Sequence, residues 1–187
     1  MLFNDLIPPS PNISLIKQIV KSECSDFIYE SHGLPLYKSL PSTYGEMKRV
    51  KVRFQKPRDV TSEIFENVFG ESRPGGFKER SVIAYPSPPI LKEGHELFYV
   101  FPTDGFKFIY SPMIKDSITD LGGVVNTLMT QLDIVESTSI AADLLKYSYQ
   151  CDNLVEGILS DSEIIIHDMS NFIVVRVANI PYPSLIL

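Results

Sequence analysis

The chain has 187 residues, of which 44% are apolar and 21% charged, and its formal net charge is −6. This length corresponds to one domain, and the apolar content suffices for a buried core, which excludes a wholly disordered chain. The acidic balance argues against a protein whose entire surface binds nucleic acid. The two cysteines, Cys24 and Cys151, form no C-x-x-C pair. We therefore expect no zinc knuckle, redox motif or disulfide framework, and a reducing compartment.

The pattern of apolar residues predicts a single domain over residues 1–187 that does not enter a membrane. No stretch approaches the run of about 18 apolar residues that a membrane-spanning helix needs. Asp5 and several prolines stand where a signal peptide has a cationic start and an apolar run. We therefore expect a protein that no signal peptide secretes.

The first third of the chain combines a helix with a basic strand. Apolar residues at helical spacing predict an N-terminal helix over about residues 11–31, capped by Ser10 and ended by Gly33. An extended segment follows over residues 34–40. Residues 47–55 then alternate between apolar and basic side chains, which predicts a half-buried strand with a basic outer face.

The basic strand and its continuation, residues 48–58, hold six of the 17 basic residues. One interpretation is a solvated strand face, because runs of charge are usually no more than that. The other is an anion site for a phosphate, a nucleotide or RNA. Aromatic residues do not interleave with the basic ones, and a stacking platform for nucleic acid would need them.

Further strands and helices follow along the rest of the chain. Helices are expected over residues 61–69, 116–132, 137–149 and 152–159, and strands over residues 81–85, 95–102, 106–110, 163–167 and 172–177. The turns at residues 103–105 and 168–171 each separate two strands, and we expect a β-hairpin across each. Strands in adjacent runs beside several helices indicate an α+β class rather than a doubly wound parallel sheet.

The polar residue with the most unusual sequence surroundings is Glu163. It opens a strand whose next residues, Ile164 to Ile166, are all β-branched and apolar. A carboxylate in such surroundings is a candidate for a perturbed acid, whereas the alternative is an exposed glutamate at a strand edge. Local motifs of the familiar enzyme classes are absent from the sequence, and the three histidines are scattered. We therefore expect no metal site.

Several segments, in their order along the chain, resemble the small phage-encoded ADP-ribosyltransferase-like proteins. Lys38 follows Gly33-Leu34-Pro35-Leu36-Tyr37 where that family has an L-Y-R-G strand, and Glu163 lies in Ser162-Glu163-Ile164-Ile165-Ile166, which is similar to the family's glutamate strand. The segments between them that carry the resemblance are Arg53, 56–59, 66–70, 80–82, 98–102 and 106–112.

The resemblance implies a fold, a substrate and a set of roles. The fold would be two small, mostly antiparallel sheets that form a split β core flanked by helices, with NAD in the cleft between them. Lys38, with Tyr37 and Ser39 beside it, would bind the NAD phosphates. Ser81 would brace the nicotinamide ribose. Glu163 would stabilise the oxocarbenium-like transition state, and Asp161 would face the acceptor.

Departures from the family pattern favour a weakened enzyme. Lys38 stands where the family has arginine, so the two-pronged donor that suits a pyrophosphate is lost. The resemblance implies a mono-ADP-ribosyltransferase that acts on a host macromolecule, in the host cytoplasm or the virion. The alternative is a non-catalytic virion or partner-binding protein that retains the fold. A partner could then contact the C-terminal tail 180–187, unless this segment is a strand packed on its own domain.

Overall fold

The computed structural model describes residues 12–52, 60–69 and 81–187. Within these ranges the protein combines seven α-helices with two antiparallel sheets, which confirms the α+β class and the expectation of two small sheets. The predicted cap Ser10 and the basic residues 53–58 lie outside the described residues. None of the described helices has both the length and the apolar character needed to cross a bilayer.

The predicted N-terminal helix is two helices that meet at Cys24. Helix α1 (Ile13–Glu23) begins where the side chain of Asn12 accepts a hydrogen bond from the backbone of Leu15, and helix α2 (Ser25–Glu30) follows the break. The carboxylate of Asp104 accepts hydrogen bonds from the Asp26 backbone N–H at 2.9 Å and the Ser25 hydroxyl at 3.0 Å. A cap from a loop distant in sequence thus starts a second helix where the spacing of apolar residues predicted one continuous helix.

Seven strands form the two sheets, and every strand pair is antiparallel. The larger sheet has the order β1 (Tyr37–Pro41), β4 (His95–Pro102), β7 (Asn171–Arg176) and β2 (Met47–Lys51). The smaller sheet has the order β3 (Val82–Ala84), β6 (Ile164–His167) and β5 (Lys107–Tyr110). An isolated bridge between Tyr37 and Tyr85 joins an edge of one sheet to an edge of the other.

Both predicted hairpins are wrong in their pairing. Strand β4 lies in the larger sheet and β5 in the smaller, and likewise β6 and β7 are in different sheets. The turn at residues 103–105 contacts α2 and does not close a hairpin. Asp104 caps that helix, and the Gly105 N–H donates to Asp26. At the second turn Asp168 has a φ of 64°. Each turn carries the chain from one sheet to the other.

The smaller sheet is covered on both faces, which explains its continuous apolar strands. Val82, Phe108 and Ile166 belong to a core shared with the larger sheet, α1 and α2, whereas Ile109 and Ile165 belong to a second core. The second core is completed by α3 (Val60–Phe69), α4 (Gly122–Leu128) and α5 (Ile134–Ser148). A π-helical turn, Ser117–Leu121, leads into α4, and α6 (Leu154–Leu159) precedes β6.

The C-terminal tail packs on its own domain as a short helix, α7 (Pro183–Ile186), and not as a strand. Ile180, Tyr182 and Leu185 are buried in the main core. The Tyr182 ring stacks on Phe101 with 5.6 Å between ring centres, and its hydroxyl donates to the Leu34 carbonyl. These buried side chains are therefore not available to a partner while the domain is folded.

Candidate active site

The junction of the two sheets brings Lys38 and Glu163 together. Lys38 is on β1, at an edge of the larger sheet, and Glu163 immediately precedes β6. Tyr37 and Tyr85 exchange backbone hydrogen bonds of 2.7 and 2.9 Å across the junction. The register of β3 and β6 pairs Ala84 with Ile164, so Tyr85 comes next to Glu163. Two residues that are 125 positions apart in sequence are thereby close enough for the negative charge of Glu163 to act on the pKa of Lys38.

Lys38 is held by the backbone of the opposite sheet. Its Nζ donates a 2.5 Å hydrogen bond to the carbonyl oxygen of Ile83 on β3. Burial lowers the pKa of Lys38 to about 8, and the charge of Lys92 acts in the same direction, whereas the negative charge of Glu163 opposes them. The side chain is therefore mainly a cation at pH 7 and loses its proton within the range of ordinary buffers.

Glu163 is buried, with only 1% of its surface exposed. Its backbone N–H donates to the Lys115 carbonyl at 2.9 Å, and its Oε1 accepts from the Tyr149 hydroxyl at 3.4 Å. Burial and the charge of Glu163 raise the pKa of Tyr149, so this hydroxyl remains a proton donor. The Tyr149 ring packs edge-on against Phe65 of α3, with 5.4 Å between ring centres.

A second tyrosine completes the surroundings of Glu163. Burial raises the pKa of Tyr85 to about 12, and the charges of Glu163 and Asp116 together with a hydrogen bond to Asp116 act in the same direction. Tyr149 reaches the site from the end of α5, and no local pattern in the sequence indicates it. The position of Tyr85 beside Glu163 was not predicted either.

Ser81 lies at the other end of β3 from Glu163. The register pairs Val82 with Ile166 and Ala84 with Ile164, so Ser81 comes beside His167. Ser81 and Tyr85 are four positions apart, roughly 13 Å along an extended strand. The last residues of β3, and not its first, therefore approach Glu163, and the role of Ser81 beside the nicotinamide ribose stays a prediction.

Tyr37 and Ser39 lie on the opposite face of β1 from Lys38, because successive side chains of a strand alternate. The Tyr37 ring packs on Tyr99 at 5.5 Å between ring centres. The Ser39 hydroxyl lies 3.2 Å from Nδ1 of His95. Of the three positions expected to bind the cofactor, only Lys38 lies on the face of β1 toward Glu163, and the cofactor roles of Tyr37 and Ser39 stay predictions.

Asp161 lies on the surface, two residues before Glu163. It has a φ of 57°, a left-handed conformation that aspartate tolerates better than most residues. Its carboxylate accepts a 2.7 Å hydrogen bond from the Ser87 hydroxyl, and the ammonium of Lys115 donates to the carbonyl of the preceding Ser160. The first contact joins the loop after β3 to the loop before Glu163, and the second joins the segment after β5 to that same loop.

Two basic residues of β2 already have partners within the chain. The ammonium of Lys48 lies 3.9 Å from the centre of the Tyr44 ring. Arg49 forms a 2.5 Å ion pair with Glu23 of α1. Lys51 is exposed, and the rest of the basic segment lies outside the described residues. These contacts favour a solvated strand face over an anion site for this part of the segment.

Comparisons with family models, with curated proteins and with solved structures found no match. Within residues 12–52, 60–69 and 81–187, no three His, Cys, Asp or Glu side chains are grouped so that they could hold a metal ion. The candidate site is therefore interpreted from its own chemistry, which is one buried carboxylate, one partly buried ammonium and two neutral phenols.

Proposed function

We propose that the protein is a mono-ADP-ribosyltransferase of low catalytic power, which transfers ADP-ribose from NAD to a host macromolecule. The observation that carries this proposal is the meeting of Lys38 and Glu163 at the junction of two small antiparallel sheets. This is the juxtaposition of charges that the resemblance implies for NAD bound between the sheets. The proposal extends to an ADP-ribosyltransferase-like fold.

Glu163 is the proposed catalytic residue. When the bond between the nicotinamide nitrogen and the ribose breaks, the electron pair leaves with nicotinamide and positive charge develops at the anomeric carbon. A carboxylate that is 1% exposed stabilises this charge far more than one in water would, because the effective dielectric constant around it is low. The acceptor nucleophile then forms the new bond to the anomeric carbon and loses its proton.

Tyr149 is a proposed positioning residue. Its hydroxyl contacts Oε1 of Glu163, and its ring is fixed by the aromatic side chains of α3. It therefore limits the orientations of the carboxylate without touching the reacting atoms. Asp161, which accepts a hydrogen bond from Ser87 at the surface, is the residue that would face the acceptor under this proposal.

Lys38 supplies one cation for the NAD phosphates. A single ammonium lacks the second parallel hydrogen bond of an arginine, and one charged hydrogen bond contributes about 1.5–3 kcal/mol. One of the three N–H donors of its Nζ is also engaged by the Ile83 carbonyl, which leaves fewer donors for a phosphate. Both features weaken binding, which is why we propose low catalytic power.

Access to Glu163 limits how NAD fits. With 1% of its surface exposed, Glu163 can contact a ribose only after a covering side chain moves. This burial also favours the second candidate function, a non-catalytic virion or partner-binding protein in which Lys38 and Glu163 serve stability alone. The two candidates differ in one measurable property, the saturable binding of NAD.

The test is nicotinamide release from NAD by the full chain, with and without host lysate, beside calorimetric titration with NAD. We expect slow release and saturable binding for the wild type, and loss of release without loss of fold for Glu163→Gln. Glu136→Gln, at an exposed glutamate of α5, is the matched control and should behave as the wild type does. If the wild type neither binds NAD saturably nor releases nicotinamide, the non-catalytic function replaces the proposed one.

A further inference from the structure

A cavity of about 540 Å³ lies at the end of β6 that is away from Glu163. Its walls include His167 at the end of β6, the start of β5 and the residues that precede α6. The volume falls within the range of roughly 300–1,000 Å³ that is usual for small-molecule sites. His167 and Glu163 are four positions apart, roughly 13 Å along the strand. None of Lys38, Tyr149 and Glu163 lines this cavity, so it is distinct from the candidate active site.

Three phenylalanines give the cavity an apolar wall. Phe106 and Phe108 lie with 6.2 Å between their ring centres, and Phe69 of α3 also lines the cavity. Phe108 is held by the main core, and Phe106 packs against Phe27 at 6.1 Å. The wall is therefore formed by rings that other contacts already fix in place, which lowers the entropy lost when a ligand packs on them.

The charges at the cavity are unequal. Lys107 Nζ lies 3.4 Å from one carboxylate oxygen of Asp168, and the other oxygen lies 3.4 Å from Nδ1 of His167. Asp168 thus offsets the positive charge of Lys107. Glu30 and Asp152 line the cavity at exposed positions, and neither forms an ion pair with another described residue. Among the described residues that line the cavity, the charge left without an ionic partner is therefore that of two carboxylates.

We propose that this cavity binds a small organic cation, an amine with a flat apolar body. The body would pack on the phenylalanines, and the ammonium would lie by Glu30 and Asp152, where it also gains from the negative faces of the rings. A neutral ligand would lose the electrostatic part of this binding, and an anion would be repelled. This proposal stands apart from the NAD site and does not require it.

Cys151 provides a direct readout, because it lines the cavity and is exposed. The other thiol, Cys24, is buried, and burial raises its pKa to about 12, so it reacts slowly. The rate at which iodoacetamide alkylates Cys151 in the folded chain would be measured with tryptamine, 3-methylindole and indole-3-propionate. These probes share one ring system and carry a positive, a zero and a negative charge.

We expect tryptamine to slow alkylation saturably, and the anionic probe to bind at least about tenfold more weakly. The Glu30→Gln, Asp152→Asn double variant should lower tryptamine affinity toward that of 3-methylindole, whereas Glu136→Gln leaves it unchanged. The proposal is overturned if tryptamine gives no protection up to millimolar concentration, if the anion binds as tightly as the cation, or if NAD displaces tryptamine competitively.

Discussion

The ammonium of Lys38 on one sheet donates to the backbone carbonyl of Ile83 on the other. A charged side chain therefore helps to tie the two sheets together at the place where Glu163 is buried. Because burial lowers the pKa of Lys38, its protonation costs stability at this junction even though the hydrogen bond joins the two sheets.

Substitution of Lys38 by methionine should change how stability depends on pH. The folded-state pKa of about 8 is below the ordinary value of 10.5, so the unfolded chain binds this proton more tightly. The Lys38 contribution to stability therefore rises with pH between about 8 and 10.5. We expect the free energy of unfolding of Lys38→Met, relative to that of the wild type, to be highest at pH 7 and to fall toward pH 10. Urea unfolding of both proteins at each pH measures this difference. A difference between the two proteins that does not vary with pH would contradict the lowered pKa.

NAD affinity, if the proposed function is correct, should fall as the pH rises through about 8. The deprotonated Lys38 offers the phosphates no charge, so the dissociation constant should rise by up to about tenfold per pH unit above the pKa. Calorimetric titration between pH 7 and pH 9 measures this. Lys38→Arg stays charged over the whole range, so its affinity should vary little. An equal pH dependence in both proteins would assign the effect to another group.

Removal of the Tyr149 hydroxyl should allow the Glu163 carboxylate more orientations. Tyr149→Phe keeps the ring packing but deletes the donor to Oε1, so we expect a stability loss of about 1 kcal/mol. The rate of nicotinamide release should fall while the affinity for NAD stays the same, since Tyr149 positions the carboxylate and does not bind the phosphates. Tyr147→Phe is the matched control on the same helix, because Tyr147 is 89% exposed. Equal effects of the two substitutions would disprove a positioning role.

Two glycine substitutions should have opposite effects on stability. A Cβ at Gly157 would lie 2.8 Å from the Tyr110 ring and 3.0 Å from Ile164, whereas a Cβ at Gly123 would meet nothing within 4 Å. Overpacking makes Gly157→Ala destabilising by about 1–3 kcal/mol. Gly123→Ala, within α4, should stabilise by up to about 1 kcal/mol through helix propensity. Thermal and urea unfolding of both variants test the pair, and a stable Gly157→Ala protein would contradict the packing of α6 against β5.

The contribution of the Asp104 cap of α2 to the stability of the protein should be measurable. Asp104→Ala removes the acceptor for the first turn of α2, which we expect to cost about 1–2 kcal/mol. Asp143→Ala, at an exposed position of α5, controls for the loss of a negative charge. Hydrogen exchange at Asp26 should quicken in the first variant only, and unchanged exchange there would rule out the cap.

Local signals in the sequence predicted where elements lie, but not how they pair. The bounds of β4 (His95–Pro102) agree with the prediction, because alternation and flanking turn residues are local properties. The two hairpins failed since their pairing depends on Asp104 reaching α2, a contact between residues 78 positions apart. For the same reason Tyr149 could not be predicted beside Glu163, and no local pattern specifies the register that sets Ser81 and Tyr85 at opposite ends of a short strand.

The alternation of the chain between two sheets has a consequence for how the protein acquires its structure. Strand β6 is the middle strand of the smaller sheet and β7 is an inner strand of the larger one, and both come late in the chain. Neither sheet can be completed before residues 164–176 have been synthesised, because β2 pairs with β7, and β3 and β5 pair with β6. Contacts this remote in sequence make folding slow and cooperative, so a truncated chain that ends before Glu163 would lack the central strand of one sheet and an inner strand of the other.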